Sequence, residues 1–199
     1  MALRFLSFMT AFILALSLPA WAEQTPRIGD DGLYKQPWFF QSSGNLASDL
    51  KTAKAEGKDL VVLYEQRGCV YCKKLHEVVF EKPEVVELIK KSFLVIQMDL
   101  WGNEQVTDLD GDILSQENLA LKWGVNATPT TIVLSSDRPS AGGLQFAEAF
   151  RLPGYLEPFY YFTALDYMAS GAINKMRFKK FLEDKRKAFT NKGINPDGW

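Results

Sequence analysis

The chain has 199 residues and a formal net charge of −1, from 23 Lys+Arg against 24 Asp+Glu. Hydrophobic residues make up 47% and charged residues 24%, which excludes a disordered chain and a polytopic membrane protein. A charge balance this close to zero also argues against a general nucleic-acid binder, which needs a basic stripe to displace counterions from phosphates.

Residues 1–22 have the form of a secretory signal peptide. Arg4 supplies the positive start, Phe5 to Leu18 form an apolar run, and Pro19 precedes the small residues of Ala20-Trp21-Ala22. The run is about 14 residues, short of the roughly 20 needed to span a bilayer. No cysteine follows it to carry a lipid. Cleavage after Ala22 is expected, with no stable membrane insertion afterwards and the bacterial periplasm as destination. It would leave −2 on the mature chain.

Residues 23–44 read as an extended N-terminal segment, punctuated by Pro26, Gly29, Gly32, Pro37 and Gly44, with Trp38, Phe39 and Phe40 tucked onto the domain. A domain over 45–170 follows. Asn45 to Glu56 has helical spacing and stops at Gly57. Leu60 to Tyr64 is a continuous apolar run, as a strand buried on both faces should be. A helix opens at Cys69, and a second follows Pro83. Phe93 to Met98 is the next buried strand. Trp101 to Asp112 reads as an acidic loop and Ser115 to Trp123 as a helix. Thr130 to Leu134 is a strand, and Gly142-Gly143 turns into a partner strand over Phe146 to Phe150. Leu156 to Met168 is the last domain helix, and residues 171–199 form a basic helix and tail. The order gives an α/β domain whose alternating part yields parallel strands, with a final hairpin as an antiparallel edge.

Cys69 and Cys72 are the only cysteines. A bond between them closes too small a loop to stabilise a fold through chain entropy, so the pair points to chemistry. It lies where a buried strand meets a helix N-terminus, which favours a thiolate. Cys69, at the outer end, is the expected exposed nucleophile, and Cys72, one turn in, the resolving thiol. Arg67, Lys73 and Lys74 flank the pair and either support the thiolate or form a solvated face. Half a zinc site has the same CxxC spacing, but no second CxxC or ligand-spaced His pair is present. Ala127-Thr128-Pro129-Thr130 precedes a strand, where Pro can stand first because it has no N–H to give. The Thr128–Pro129 bond is either cis or a trans bond ending a loop.

Strand, Glu65-Gln66-Arg67-Gly68-Cys69-Val70-Tyr71-Cys72-Lys73-Lys74-Leu75-His76, then Asp110-Gly111 and Gly124-Val125, Thr128-Pro129-Thr130 and Arg151-Leu152-Pro153-Gly154-Tyr155 together resemble the thioredoxin family, and within it secreted SoxW-type thioredoxin-like proteins of sulfur oxidation. The resemblance implies a thioredoxin fold: a central mixed β-sheet flanked by helices, with the N-terminal lead-in and C-terminal helical extension outside it. It implies a thiol–disulfide oxidoreductase without cofactor, with Pro129 cis against the disulfide. Thr128, with Val70 and Tyr71, would then meet an extended client segment. Client proteins with disulfides and a membrane-embedded thiol electron donor are the implied partners, and a monomer is expected. Leu63 stands where many family members carry a buried Asp. Glu65, at the strand's end, either serves in its place or is an ordinary exposed turn residue.

Two alternatives stay open. The same couple could serve a disulfide oxidase or isomerase, since exchange runs either way. Alternatively Cys69, Cys72 and His76 could clasp copper or zinc in a metal-binding or cofactor-assembly chaperone, although a helical His beside a thiol more commonly tunes electrostatics or faces solvent. Asp108, Asp110 and Asp112 alternate like a calcium loop, but Ile113 and Leu119 replace its Gly and Glu, so they read as a plain loop.

Overall fold

The computed structural model describes residues 27–139 and 141–199. The signal-peptide reading of residues 1–22 lies outside the described residues.

A short ribbon opens the described chain, β1 (Arg27–Ile28) antiparallel to β2 (Tyr34–Lys35). Helix α1 (Leu46–Ala55) begins where the Asn45 side chain accepts from the Ser48 N–H at 2.9 Å. It leads into β3 (Asp59–Glu65). After the redox turn come α2 (Val70–Lys74), a π-helical turn (Leu75–Val79), α3 (Pro83–Ser92) and β4 (Phe93–Asp99). The second half holds β5 (Gln105–Thr107), β6 (Ile113–Ser115), α4 (Gln116–Lys122), β7 (Thr130–Leu134), α5 (Leu144–Ala147), β8 (Glu148–Pro153) and α6 (Pro158–Ala169). Helix α7 (Phe178–Asn191) follows.

The main sheet has the order β4-β3-β7-β8 and is mixed. Only β3 and β4 run parallel; β7 is antiparallel to both of its neighbours. This corrects the expected parallel succession. The chain leaving β4 stays at the end where β3 finishes, passes through β5, β6 and α4, and enters β7 with Thr130 opposite Tyr64. No crossover returns it to the start of β3, so β7 must run the other way.

Successive β3 side chains point to opposite faces, which is why its whole run is apolar. Leu60, Val62 and Tyr64 join Leu46, Leu50, Leu119 and Trp123 on the α1/α4 side. Val61 and Leu63 join Leu75, Val85, Ile89, Tyr161 and Leu165 on the α2/α3/α6 side.

Two further corrections concern loops. The acidic stretch is a two-stranded ribbon, β5 pairing β6, and Asp108, Asp110 and Asp112 converge on Lys122 at 2.6, 2.6 and 2.9 Å. After Gly142-Gly143 the chain makes the single helical turn α5 before β8, so the strand starts at Glu148 and runs to Pro153. The basic helix α7 has no buried residue, yet its aromatics attach it to α6: Phe189 lies 5.1 Å from Phe159 and 5.2 Å from Trp199, ring to ring. Among the described residues no helix is long and apolar enough to cross a membrane.

Candidate functional site

The end of β3 delivers the chain to a tight turn at Gln66–Gly68, where Gly68 takes a φ of 72° that a side chain would oppose. Cys69 then caps α2: its sulfur accepts from the Cys72 N–H at 3.0 Å. The two cysteines are joined in a disulfide with Cα atoms 5.2 Å apart. Cys69 is 8% exposed and Cys72 1%, so in the disulfide form the outer cysteine is less open than the sequence suggests. The segment that leads into β7 lies against it. Thr128 donates its hydroxyl to Cys69 Sγ at 3.3 Å, and the Thr128–Pro129 peptide bond is cis.

The Pro129 carbonyl accepts from the Gly154 N–H at 2.8 Å, which brings the segment after β8 beside the disulfide. There Tyr155 stacks on Tyr71, with ring centres 6.0 Å apart. The Lys74 ammonium sits 4.6 Å over the Tyr155 ring and pairs with Glu157 at 2.7 Å. Val70 and Tyr71, the residues between the cysteines, are 75% and 59% exposed. A rim of apolar and aromatic surface therefore surrounds a sulfur pair that is itself nearly covered. The hydrogen bond from Lys74 holds the Glu157 carboxyl below the usual range, while burial and then Glu157 push the Tyr155 hydroxyl up.

The flanking cations are engaged away from the sulfurs. Arg67 donates to the Asp31 carbonyl at 3.1 Å, and Lys73 faces Glu77 at 3.8 Å. Leu63 lies wholly in the apolar cluster. Glu65 is not an exposed turn residue: it ends β3, is 1% exposed, and meets His76 Nε2 at 3.0 Å. His76 does not face solvent either, being fully buried, with Nδ1 3.2 Å from Gln36 Nε2. Both ring nitrogens are thus taken by Glu65 and Gln36, so His76 does not join the cysteines as a metal ligand. Among the described residues no group of three or more His, Cys, Asp or Glu is arranged to hold a metal ion.

Sequence reasoning missed Gln36, Gln97, Tyr155 and Glu157 as parts of the site. Alternation along β3 was the available signal for Glu65, which falls on the face of Val61 and Leu63. For His76 it was the four-residue spacing from Cys72.

The family model of a thioredoxin-like domain matches residues 46–169. Among solved structures, the chain is similar to a thioredoxin-fold protein from Helicobacter pylori, at 19% identity over 76% of this chain and 92% of that one, with a TM-score of 0.56. A putative disulphide-isomerase from Bacteroides thetaiotaomicron matches at 24% identity, 69% and 93% coverage and a TM-score of 0.49. A thioredoxin from Thermus thermophilus matches at 22% identity, 62% and 83% coverage and a TM-score of 0.48. At these identities the Helicobacter pylori likeness speaks for the fold alone. No curated protein matches the sequence.

Proposed function

Since the chain belongs to the thioredoxin-like domain family and carries a Cys69–Cys72 disulfide at a strand-to-helix turn, it is a thiol–disulfide oxidoreductase, and we propose that it works as a periplasmic reductase of disulfides in partner proteins. In the dithiol form the Cys69 thiolate attacks one sulfur of a client disulfide. That S–S bond breaks, a mixed disulfide forms, and the client's other sulfur leaves as a thiolate that takes a proton from water. The Cys72 thiolate then attacks Cys69 Sγ, the second client sulfur leaves, and the Cys69–Cys72 bond forms. Two electrons have passed to the client. A membrane-embedded thiol donor restores the dithiol by the same two exchanges in reverse.

The observation that carries this reading is the Cys69–Cys72 disulfide at the N-terminus of α2, with the Thr128 hydroxyl 3.3 Å from Cys69 Sγ. The exposed Val70 and Tyr71 support a client surface in which an extended segment lies along Thr128. Arg67, Lys73 and Glu65 are read as supporting residues of that surface, not as groups that touch the sulfurs. The signal-peptide form of residues 1–22 supports the periplasmic location, and the SoxW-type motif supports a client in sulfur oxidation. The C-terminal helix is read as a packed appendage and the protein as a monomer.

The test is a disulfide-reduction assay on a model disulfide protein with a dithiol donor. Cys69→Ser should abolish activity, and Cys72→Ser should accumulate a mixed disulfide with the client through Cys69. A Cys72→Ser protein that traps nothing, while the wild type turns over, would contradict the assignment of roles.

A further inference from the structure

Residues 27–44 precede the part of the chain that the family model matches, yet they close over a buried polar unit behind the redox helix. His76 follows Cys72 by four residues on one continuous helical stretch, one turn or about 6 Å along the axis, and both are buried, at 0% and 1%. A carboxylate only accepts, and the contacts of Glu65 at 3.0 and 3.2 Å match a hydrogen on His76 Nε2. Nδ1 is then the acceptor and Gln36 Nε2 its donor. The rings of Tyr34, Phe39 and Phe80 lie 5.5, 5.7 and 5.2 Å from the imidazole, which is fully buried.

The other neighbours are fixed. Gln97 donates to Glu65 Oε2 and to the Tyr34 carbonyl while its own oxygen accepts from Lys35 at 2.6 Å, so it cannot turn its amide over. Lys35 is paired with Asp31, and Asp99 stands opposite Glu65 in the β3–β4 register. From α6, burial keeps the Tyr161 hydroxyl neutral, and it bonds to Thr131. Gln36 alone can serve either state of the ring. Its NH2 suits a bare Nδ1, and a half-turn of the amide offers Oε1 to a protonated one.

We propose that Gln36, Glu65 and His76 form a proton-holding unit coupled to Cys72, with Gln36 as the positioning residue that accommodates both forms of the imidazole. When a donor thiolate attacks Cys69 Sγ, the electron pair of the Cys69–Cys72 bond leaves on Cys72 as a thiolate. A negative charge then appears on a sulfur that is 1% exposed, one turn from His76 on the same helical stretch, and such a charge is costly without compensation. His76 takes one proton from solvent, supplied there by the donor thiol as it is oxidised. When Cys72 attacks again and the disulfide reforms, the proton returns to solvent. The unit adds no electrons; it offsets charge.

His76 is the only histidine, so its ring nitrogens report without ambiguity. The full chain, labelled with nitrogen-15, is compared in disulfide and dithiol forms across about pH 5 to 8, where imidazoles titrate. The expected result is a pH interval in which the disulfide form shows a neutral ring protonated on Nε2 and the dithiol form an imidazolium. Reduced Cys72→Ala should look like the disulfide form. Gln36→Leu should lose the difference, because a buried Nδ1–H would have no acceptor, and should move the exchange equilibrium with glutathione about tenfold towards the disulfide. A merely structural Gln36 would lower the melting temperature in that variant and leave the difference in place. Identical ring signals in both redox forms of the wild type at every pH would overturn the proposal. The inference rests on the Cys69–Cys72 pair exchanging, not on the direction proposed above. A wild type that fails to exchange with glutathione removes both, and one that exchanges with a redox-blind histidine removes the inference alone.

Discussion

The Thr128 hydroxyl lies 3.3 Å from Cys69 Sγ although 59 residues separate them in the chain. This contact joins the two motifs of the site, and its consequence is chemical as well as geometric. A hydroxyl aimed at the sulfur stabilises it further once it carries charge, since hydrogen bonds to charged groups contribute about 1.5–3 kcal/mol.

Thr128→Val keeps the shape and removes the donor. Alkylation of Cys69 in the reduced variant should slow about tenfold near pH 6, where the rate follows the thiolate fraction, and the two rates should converge at alkaline pH. A pH series of alkylation rates checks this; an unchanged profile would show that the hydroxyl does not act on the thiolate.

Lys122 is the cation for three carboxylates, one of them the buried Asp108. Its hydrogen bond holds Asp110 below the usual carboxylate range, and the three carboxylates, Asp108 first, hold Lys122 above its own. The lowered Asp110 value contributes stability that is present above about pH 3.9 and is lost as pH falls through the folded value. The raised Lys122 value contributes stability that is complete below about pH 10.4 and is lost as pH rises through the folded value. Lys122→Met should therefore lower stability at neutral pH and move the acid-unfolding midpoint to higher pH, as circular dichroism against pH would record.

Tyr64 is fully buried, and its hydroxyl has no hydrogen-bond partner among the described residues. Burying an unpaired hydroxyl costs about 1–3 kcal/mol. Tyr64→Phe should be neutral or should stabilise the protein by about 1 kcal/mol in denaturant unfolding. A clear loss of stability would mean that the hydroxyl has a partner.

Helix α7 is attached through aromatics and through the Lys185–Asp166 pair at 2.6 Å. Phe189→Ala removes contacts to Phe159, Phe162 and Trp199 and should cost about 2 kcal/mol, less than a fully buried Phe because the helix face is only half covered. Hydrogen exchange should show α7 amides losing protection before those of β3.

Much of this architecture could be read from the chain because the sheet strands carry dense signals. Leu60 to Tyr64 and Phe93 to Met98 are apolar on both faces and bounded by polar turns, and each extends by one residue or so in the fold. The β5–β6 ribbon was illegible for the opposite reason: each strand has three residues, and the Asp-rich turn between them gains its order from Lys122, a residue outside the stretch. For Glu65 and His76 the sequence leaves buried and exposed readings both open, because burial of a polar pair depends on partners that are distant in sequence. Gln36 and Gln97 are such partners, and no periodicity links them. The antiparallel entry of β7 depends on where α4 releases the chain, which element order does not specify.

The most direct test of the central claim is the equilibrium of the Cys69–Cys72 couple in a graded glutathione or dithiothreitol buffer. A reductase requires a couple near or below about −220 mV, on the side of glutaredoxins and thioredoxins. A value near about −120 mV, that of a strong periplasmic oxidant, would contradict it and assign the protein to disulfide formation.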